Sequence, residues 1–152
     1  MDVKLYLDKL QEVSYRKPKY FYHGDSFLFQ NLKVLEPRFP KTASTKELMR
    51  SKGIFASEDK AYASCFGLNY SGWHLGKEKD EDAWTIEIPE EARGEALKPC
   101  SIYIVSSKGF EKVPKVNTPE WVSFKSVKVI KEEKYSTCIE CMENNGVIVK
   151  FI

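Results

Sequence analysis

Histidine is scarce in this 152-residue chain, which has only His23 and His74 alongside four cysteines at 65, 100, 138 and 141. A metal centre is therefore poorly served. Only Cys138 and Cys141, in "STCIECMENNG", form a CxxC pair. A structural zinc would need two more ligands at comparable spacing, which the scattered Cys65, Cys100 and the two histidines do not supply. A redox CxxC stands where a strand runs into the start of a helix. This pair, close to the C-terminus, shows no such lead-in, so four free thiols and no metal are expected.

Long apolar runs are missing as well. No stretch reaches the ~18 consecutive apolar residues that cross a bilayer, so no membrane partner is expected. The opening "MDVKLYLDKLQEV" lacks the charged start, uninterrupted apolar stretch and small-residue cleavage site of a secretory signal, and a cytoplasmic location is expected. There is no polybasic tract to argue for nucleic acid: 24 basic and 22 acidic residues leave a net charge of +2. Basic residues are in slight excess up to residue 60 and acidic ones from 61 to 100, a distribution that a solvated surface explains without any anionic partner. Internal repeats and low-complexity segments are also lacking.

What is present is the composition of one globular domain over residues 1–152, with 42% hydrophobic, 13% aromatic and 30% charged residues. Val3, Leu7 and Leu10 recur at helical spacing and predict an amphipathic helix over 2–13. "KYFYH" reads as a short aromatic strand and "NLKVLEPRFPKTAS" as a loop. "TKELMRSKG" reads as a brief helix stopped by Gly53. "IFAS" is a buried strand that turns directly into a helix, "EDKAYASCF", with Ser57 placed to cap it and Glu58 and Asp59 complementing its positive end. Later, "AWTIEIP", "CSIYIVSS", "EWVSFKSVKVI" and "GVIVKFI" read as strands. The acidic "GWHLGKEKDED" reads as an exposed loop that turns His74 to solvent. With helices early and strands late, the expected class is α+β.

Three short motifs carry the chemistry. They are "YHGD" at 22–25, "GIFASEDKAYASCFG" at 53–67 and "TPEWVSF" at 118–124. In order and approximate separation they resemble the three motifs of the ADP-ribosyltransferase fold, in its His-Tyr-Glu branch of diphtheria-toxin-like and poly(ADP-ribose) polymerase-like enzymes. The resemblance covers residues 20–67 and 118–124. It implies two small, mostly antiparallel sheets that form an NAD cleft, with helices at the N-terminus. It also implies an enzyme that takes NAD as substrate and moves ADP-ribose to an unidentified acceptor, or to water.

Residue by residue, the resemblance implies that His23 hydrogen-bonds a ribose hydroxyl and that the backbone of Gly24 pairs with the nicotinamide carboxamide. Phe55 and Phe66 would flank the nicotinamide ring, and Ser57 belongs to the same NAD-binding motif. Glu120 would bond the 2′-hydroxyl of the nicotinamide ribose and offset positive charge as the bond breaks. Phe55 departs from the family's tyrosine by lacking the hydroxyl. Thr118 stands where arginine-modifying members carry a glutamate, so nothing supports an arginine acceptor. An RNA phosphate-removing relative uses arginines for which Arg16, Arg38, Arg50 and Arg93 show no matching pattern. The residues alone equally admit a solvated Glu120, a core role for Phe55 and Phe66, and a non-catalytic nucleotide- or protein-binding module of the same fold. Loops 28–45 and 68–82 are the expected place for acceptor recognition.

Overall fold

Alternation along a strand sends neighbouring side chains to opposite faces, and the run Cys100–Ser106 shows how this divides the molecule. Ile102 enters one apolar core, while Tyr103 and Val105 enter another on the reverse side of the same strand. These relations are seen in a computed structural model, which describes residues 17–26, 33–38, 52–70, 72–77, 82–113 and 119–152. The helix expected over 2–13 lies outside these residues. So does most of the one expected over 45–53, whose last residue, Gly53, pairs in extended form with Arg38.

In chain order the strands are β1 (Tyr20–Asp25), β2 (Val34–Leu35), β3 (Ile54–Ser57), β4 (His74–Gly76), β5 (Thr85–Ile88), β6 (Cys100–Ser106), β7 (Glu111–Lys112), β8 (Glu120–Ser123), β9 (Val127–Tyr135) and β10 (Ile148–Phe151). Among the described residues three short α-helices join them: α1 (Lys60–Ser64) after β3, α2 (Arg93–Ala96) after β5, and α3 (Cys138–Asn144) after β9. The class is a strand-rich mixture of α and β, with two sheets.

The larger sheet has seven strands in the order β2-β9-β6-β1-β3-β8-β7, and the smaller has three in the order β10-β5-β4. Every pairing in the larger sheet is antiparallel, whereas β10 runs parallel to β5. Two small sheets were expected from the sequence, and one of them is instead large. Strands also come early as well as late, because β1, β2 and β3 take inner and edge places beside strands from the second half. "EWVSFKSVKVI", read as one extended run, is two strands. Ser123 ends the first by donating to the Lys125 carbonyl and accepting the Lys125 amide, a local turn that competes with the ladder. His74 is 78% exposed, as expected, but it sits on the edge strand β4 rather than in a loop.

The cores explain the layering. One face of the larger sheet buries Phe21, Ile54, Tyr103, Phe110 and Trp121, with the Phe21 ring 5.2 Å from Phe110 and 4.9 Å from Trp121. The other face is covered by α1, α3 and the smaller sheet through Cys65, Ile86, Ile88, Ile102 and Met142. Each such fully buried aliphatic side chain contributes roughly 1.5–3 kcal/mol. All four cysteines are buried free thiols. The CxxC pair does begin a helix that follows a strand, contrary to the sequence reading, with Thr137 capping it through the Glu140 amide. Cys138 is nonetheless a poor nucleophile, because its pKa is pushed up by its hydrogen bond with the Cys100 thiol and by burial. Among the described residues, no helix is long and apolar enough to cross a membrane, and no group of three or more His, Cys, Asp or Glu side chains is arranged to hold a metal ion.

Candidate functional site

The site begins with packing. Because Phe21 and Trp121 are drawn into one core, their neighbours Tyr22 and Glu120 must point to the opposite face of the sheet. Register then places them in a single row, with Tyr22 opposite Ser57 and Ser57 opposite Glu120 on three adjacent strands. β1 and β3 pair only at that Tyr22–Ser57 step and part beyond it. A cleft of about 130 Å³ opens where they separate. Its lining includes His23, Gly24, Phe55, Ser57, Phe66 and Glu120, together with Asp25, Arg38 and Tyr62. All six residues nominated by the sequence motifs therefore meet in one place. The cleft belongs to the larger sheet and α1, not to a gap between the two sheets.

His23 occupies the point where the ladder stops. Its Nδ1 lies 2.5 Å from the Phe55 carbonyl oxygen, so the imidazole stitches β1 to β3 where no backbone pair does. A carbonyl only accepts, hence Nδ1 carries the proton and donates it. Burial lowers the His23 pKa to about 4, the Phe55 hydrogen bond opposes this, and the Arg38 charge adds to the lowering. The ring is neutral at pH 7, which leaves Nε2 as an acceptor. Nε2 is 3.1 Å from Asp25 Oδ2. With a neutral ring this contact sets two acceptors side by side, and it becomes an ion pair only once the ring is protonated. Asp25 already has a cation, because the Arg38 guanidinium bonds the same Oδ2.

Gly24 owes its identity to the helix above it. A Cβ there would come within 2.1 Å of the Ala63 carbonyl oxygen, so α1 can lie this close to β1 only over a glycine. Gly24→Ala should therefore push α1 away and cost about 1–3 kcal/mol of stability, read by urea denaturation. A midpoint equal to wild type would show that α1 yields freely.

α1 in turn fixes the aromatic wall. Its cap is Asp59, two residues beyond the expected Ser57: Asp59 Oδ1 accepts the Tyr62 amide, while Ser57 Oγ accepts the Asp59 amide. Asp59 Oδ2 also accepts from Trp84 Nε1 at 2.7 Å. Trp84 and Phe66 then pack on Tyr62 with ring centroids 5.2 and 5.0 Å away. So braced, the Tyr62 hydroxyl donates to Glu120 Oε1 at 3.0 Å. Glu120 is 4% exposed, so it is a buried cleft carboxylate and not the solvated charge that its position after a proline also allowed. Phe55 and Phe66 are half-buried and line the cleft, with Phe66 also packing edge-on against Trp73.

Three cleft residues escaped the sequence reading. Tyr62 lies one helical turn before Phe66, and that i, i+4 spacing was the available signal. Asp25 stands inside the quoted "YHGD" without a role, and Arg38 falls in a stretch read as loop. Tyr62→Phe leaves the ring packing intact but strips a donor from a buried carboxylate, so a stability loss of about 1–2 kcal/mol is expected by denaturant titration. An unchanged midpoint would mean that the hydroxyl does not support Glu120.

Comparison of the chain with protein-family models, with curated proteins and with solved structures finds no match in any of the three.

Proposed function

We propose that the cleft binds NAD and that the protein transfers ADP-ribose from it to an acceptor, or to water. One observation carries the reading: His23, Gly24, Phe55, Ser57, Phe66 and Glu120, picked from three separated motifs, line a single cleft. The residues present suit such a ligand. His23 offers a neutral acceptor nitrogen to a ribose hydroxyl. Phe55 and Phe66 offer apolar ring faces for a flat heterocycle, with Phe55 lacking the hydroxyl of the tyrosine it resembles. Glu120 offers a buried carboxylate held at one oxygen by Tyr62.

NAD would supply a strained-charge glycosidic bond to a cationic leaving ring. The chain's part is to hold the ring and the riboses, and to set the Glu120 carboxylate where the sugar gains positive charge. Such a carboxylate acts in the transition state more than in binding.

The direct test is release of nicotinamide from NAD by the purified chain, with water and with a cell extract as acceptor sources. Release above the blank is expected. Binding of NAD without any release would leave the non-catalytic module, and absence of NAD binding would end this reading.

A further inference from the structure

The sheet face that carries the cleft is only partly covered. Its cross-strand row does not stop at Tyr22: Tyr22 stands opposite Ile104 on β6, and Ile104 opposite Lys131 on β9, so the row of Glu120 and Ser57 runs on across two further strands. A second row lies two residues along, where Tyr20 opposes Ser106 and Lys128 opposes Val34 on β2. Lys128 sits between Val127 and Val129, which turn to the opposite core, so it shares the face of the cleft. From α1, Lys60 reaches over the Tyr22 ring and pairs with Glu133, and this contact marks the border of the covered half. Beyond it, Tyr20, Val34 and Ile130 are 51%, 45% and 51% exposed. Ile130 is the extra residue of a bulge where β9 slips against β6, a device that re-aims a side chain, here an aliphatic one into solvent.

Lys128 and Lys131 are exposed among these apolar side chains, and among the described residues neither is in an ion pair. The two acids of β9 leave them uncompensated, because Glu133 is taken by Lys60 and Glu132 accepts from Ser101 on the opposite face. Such a surface fits an acidic protein segment better than a nucleic acid. Val34 and Ile130 gain nothing from a phosphate backbone, whereas apolar side chains of a protein would bury them while its carboxylates meet the lysines.

We propose that this face docks an acidic segment of a partner protein, with apolar side chains interspersed among its carboxylates, and that this protein is the acceptor of the transferred ADP-ribose. The docking stands by itself, and the acceptor role rests on the NAD reading above. The dimensions suit both. With neighbouring strands ~4.8 Å apart, Lys131 lies four strands from Glu120, roughly 19 Å, which about six residues of extended chain span.

Fluorescence anisotropy of a short labelled peptide repeating Leu-Ser-Glu-Ser, which in extended form sets leucine and glutamate on one side, tests the docking without NAD. Wild type should bind it with an affinity that falls as salt is raised, and should bind neither the same peptide with lysine for glutamate nor a single-stranded oligonucleotide of similar length. Lys128→Glu with Lys131→Glu should weaken binding by about tenfold or more, and Ile130→Ser alone by about threefold or more, with folding of each checked by melting. No binding by wild type, preference for the oligonucleotide, or unchanged affinity in the folded variants would overturn the docking. The acceptor role is read separately, with adenine-labelled NAD and the proteins of a cell extract. The double lysine variant should lose protein-bound label by about tenfold while releasing nicotinamide into water at the wild-type rate. Equal labelling by wild type and variant, an equal fall in labelling and release, or release by wild type with no protein labelled would overturn it. If wild type releases no nicotinamide at all, the NAD reading falls and the acceptor role with it, while the peptide titration still decides the docking.

Discussion

Glu120→Gln should lower nicotinamide release by about 100-fold or more, the ~3 kcal/mol that removal of one well-placed electrostatic stabiliser costs. The substitution is close to isosteric. Glutamine retains a carbonyl oxygen that can accept from the Tyr62 hydroxyl now bonded to Glu120 Oε1, so the row Tyr22, Ser57 and Glu120 should keep its geometry. What is lost is the negative charge, at a position only 4% exposed, where little water remains to replace it. Because the charge is needed when the sugar becomes cationic, the loss should fall on turnover at saturating NAD, with binding changed far less. Initial rates of wild type and variant, with affinity titrated separately and folding checked by melting, decide the matter. Equal rates would remove Glu120 from the chemistry, and an equal loss in rate and in affinity would make it a binding residue.

The sequence patterns that succeeded were those set by local burial. "IFAS" and "CSIYIVS" are rich in apolar and β-branched residues because both faces of their strands are covered, and both form strands within a residue of the expected bounds. Patterns failed where pairing, not composition, makes the element. The strand His74–Gly76 exists because β5 offers it an edge, and three residues give no periodicity to read. The long alternation from residue 120 to 130 hid a turn whose cause is a serine hydroxyl bonding its own backbone.

The cleft was legible to a similar extent. Glu120 was nominated only through the motif it resembles, and its burial followed from pairing: Trp121 enters one core, so Glu120 faces the other side of the sheet. Arg38 could not be nominated, because its approach to Asp25 depends on the extended pair between Arg38 and Gly53, a long-range contact with no local signature. Gly24 was nominated for its freedom to let a ligand approach. The structure gives it a second and independent cause in the Ala63 carbonyl above it.

The stitch between β1 and β3 makes stability depend on pH in a definite direction. His23 has a folded-state pKa of about 4, below the ordinary value of 6.5, so the unfolded chain takes up the proton first as pH falls. Its contribution is fully present above pH 6.5 and is lost as pH falls through 4. A gap of 2.5 between the two values, at 1.36 kcal/mol for each, corresponds to about 3 kcal/mol between neutral pH and pH 4. Desolvation of the buried ring is the main cause. Arg38 works in the same sense, Asp25 beside Nε2 works against it, and Tyr103, whose ring lies 6.3 Å away, stays neutral across this range because its own pKa is raised to about 12. His23→Gln keeps an amide donor for the Phe55 carbonyl and does not titrate. Urea denaturation of both proteins at several pH values from 7 to 4 should therefore give a wild-type curve that falls more steeply, with the excess loss approaching about 3 kcal/mol at the acid end. Carboxylates and the exposed His74 are common to both proteins and cancel in the difference. Parallel curves would mean that His23 is solvated in the folded state and does not hold β1 to β3 through a neutral ring.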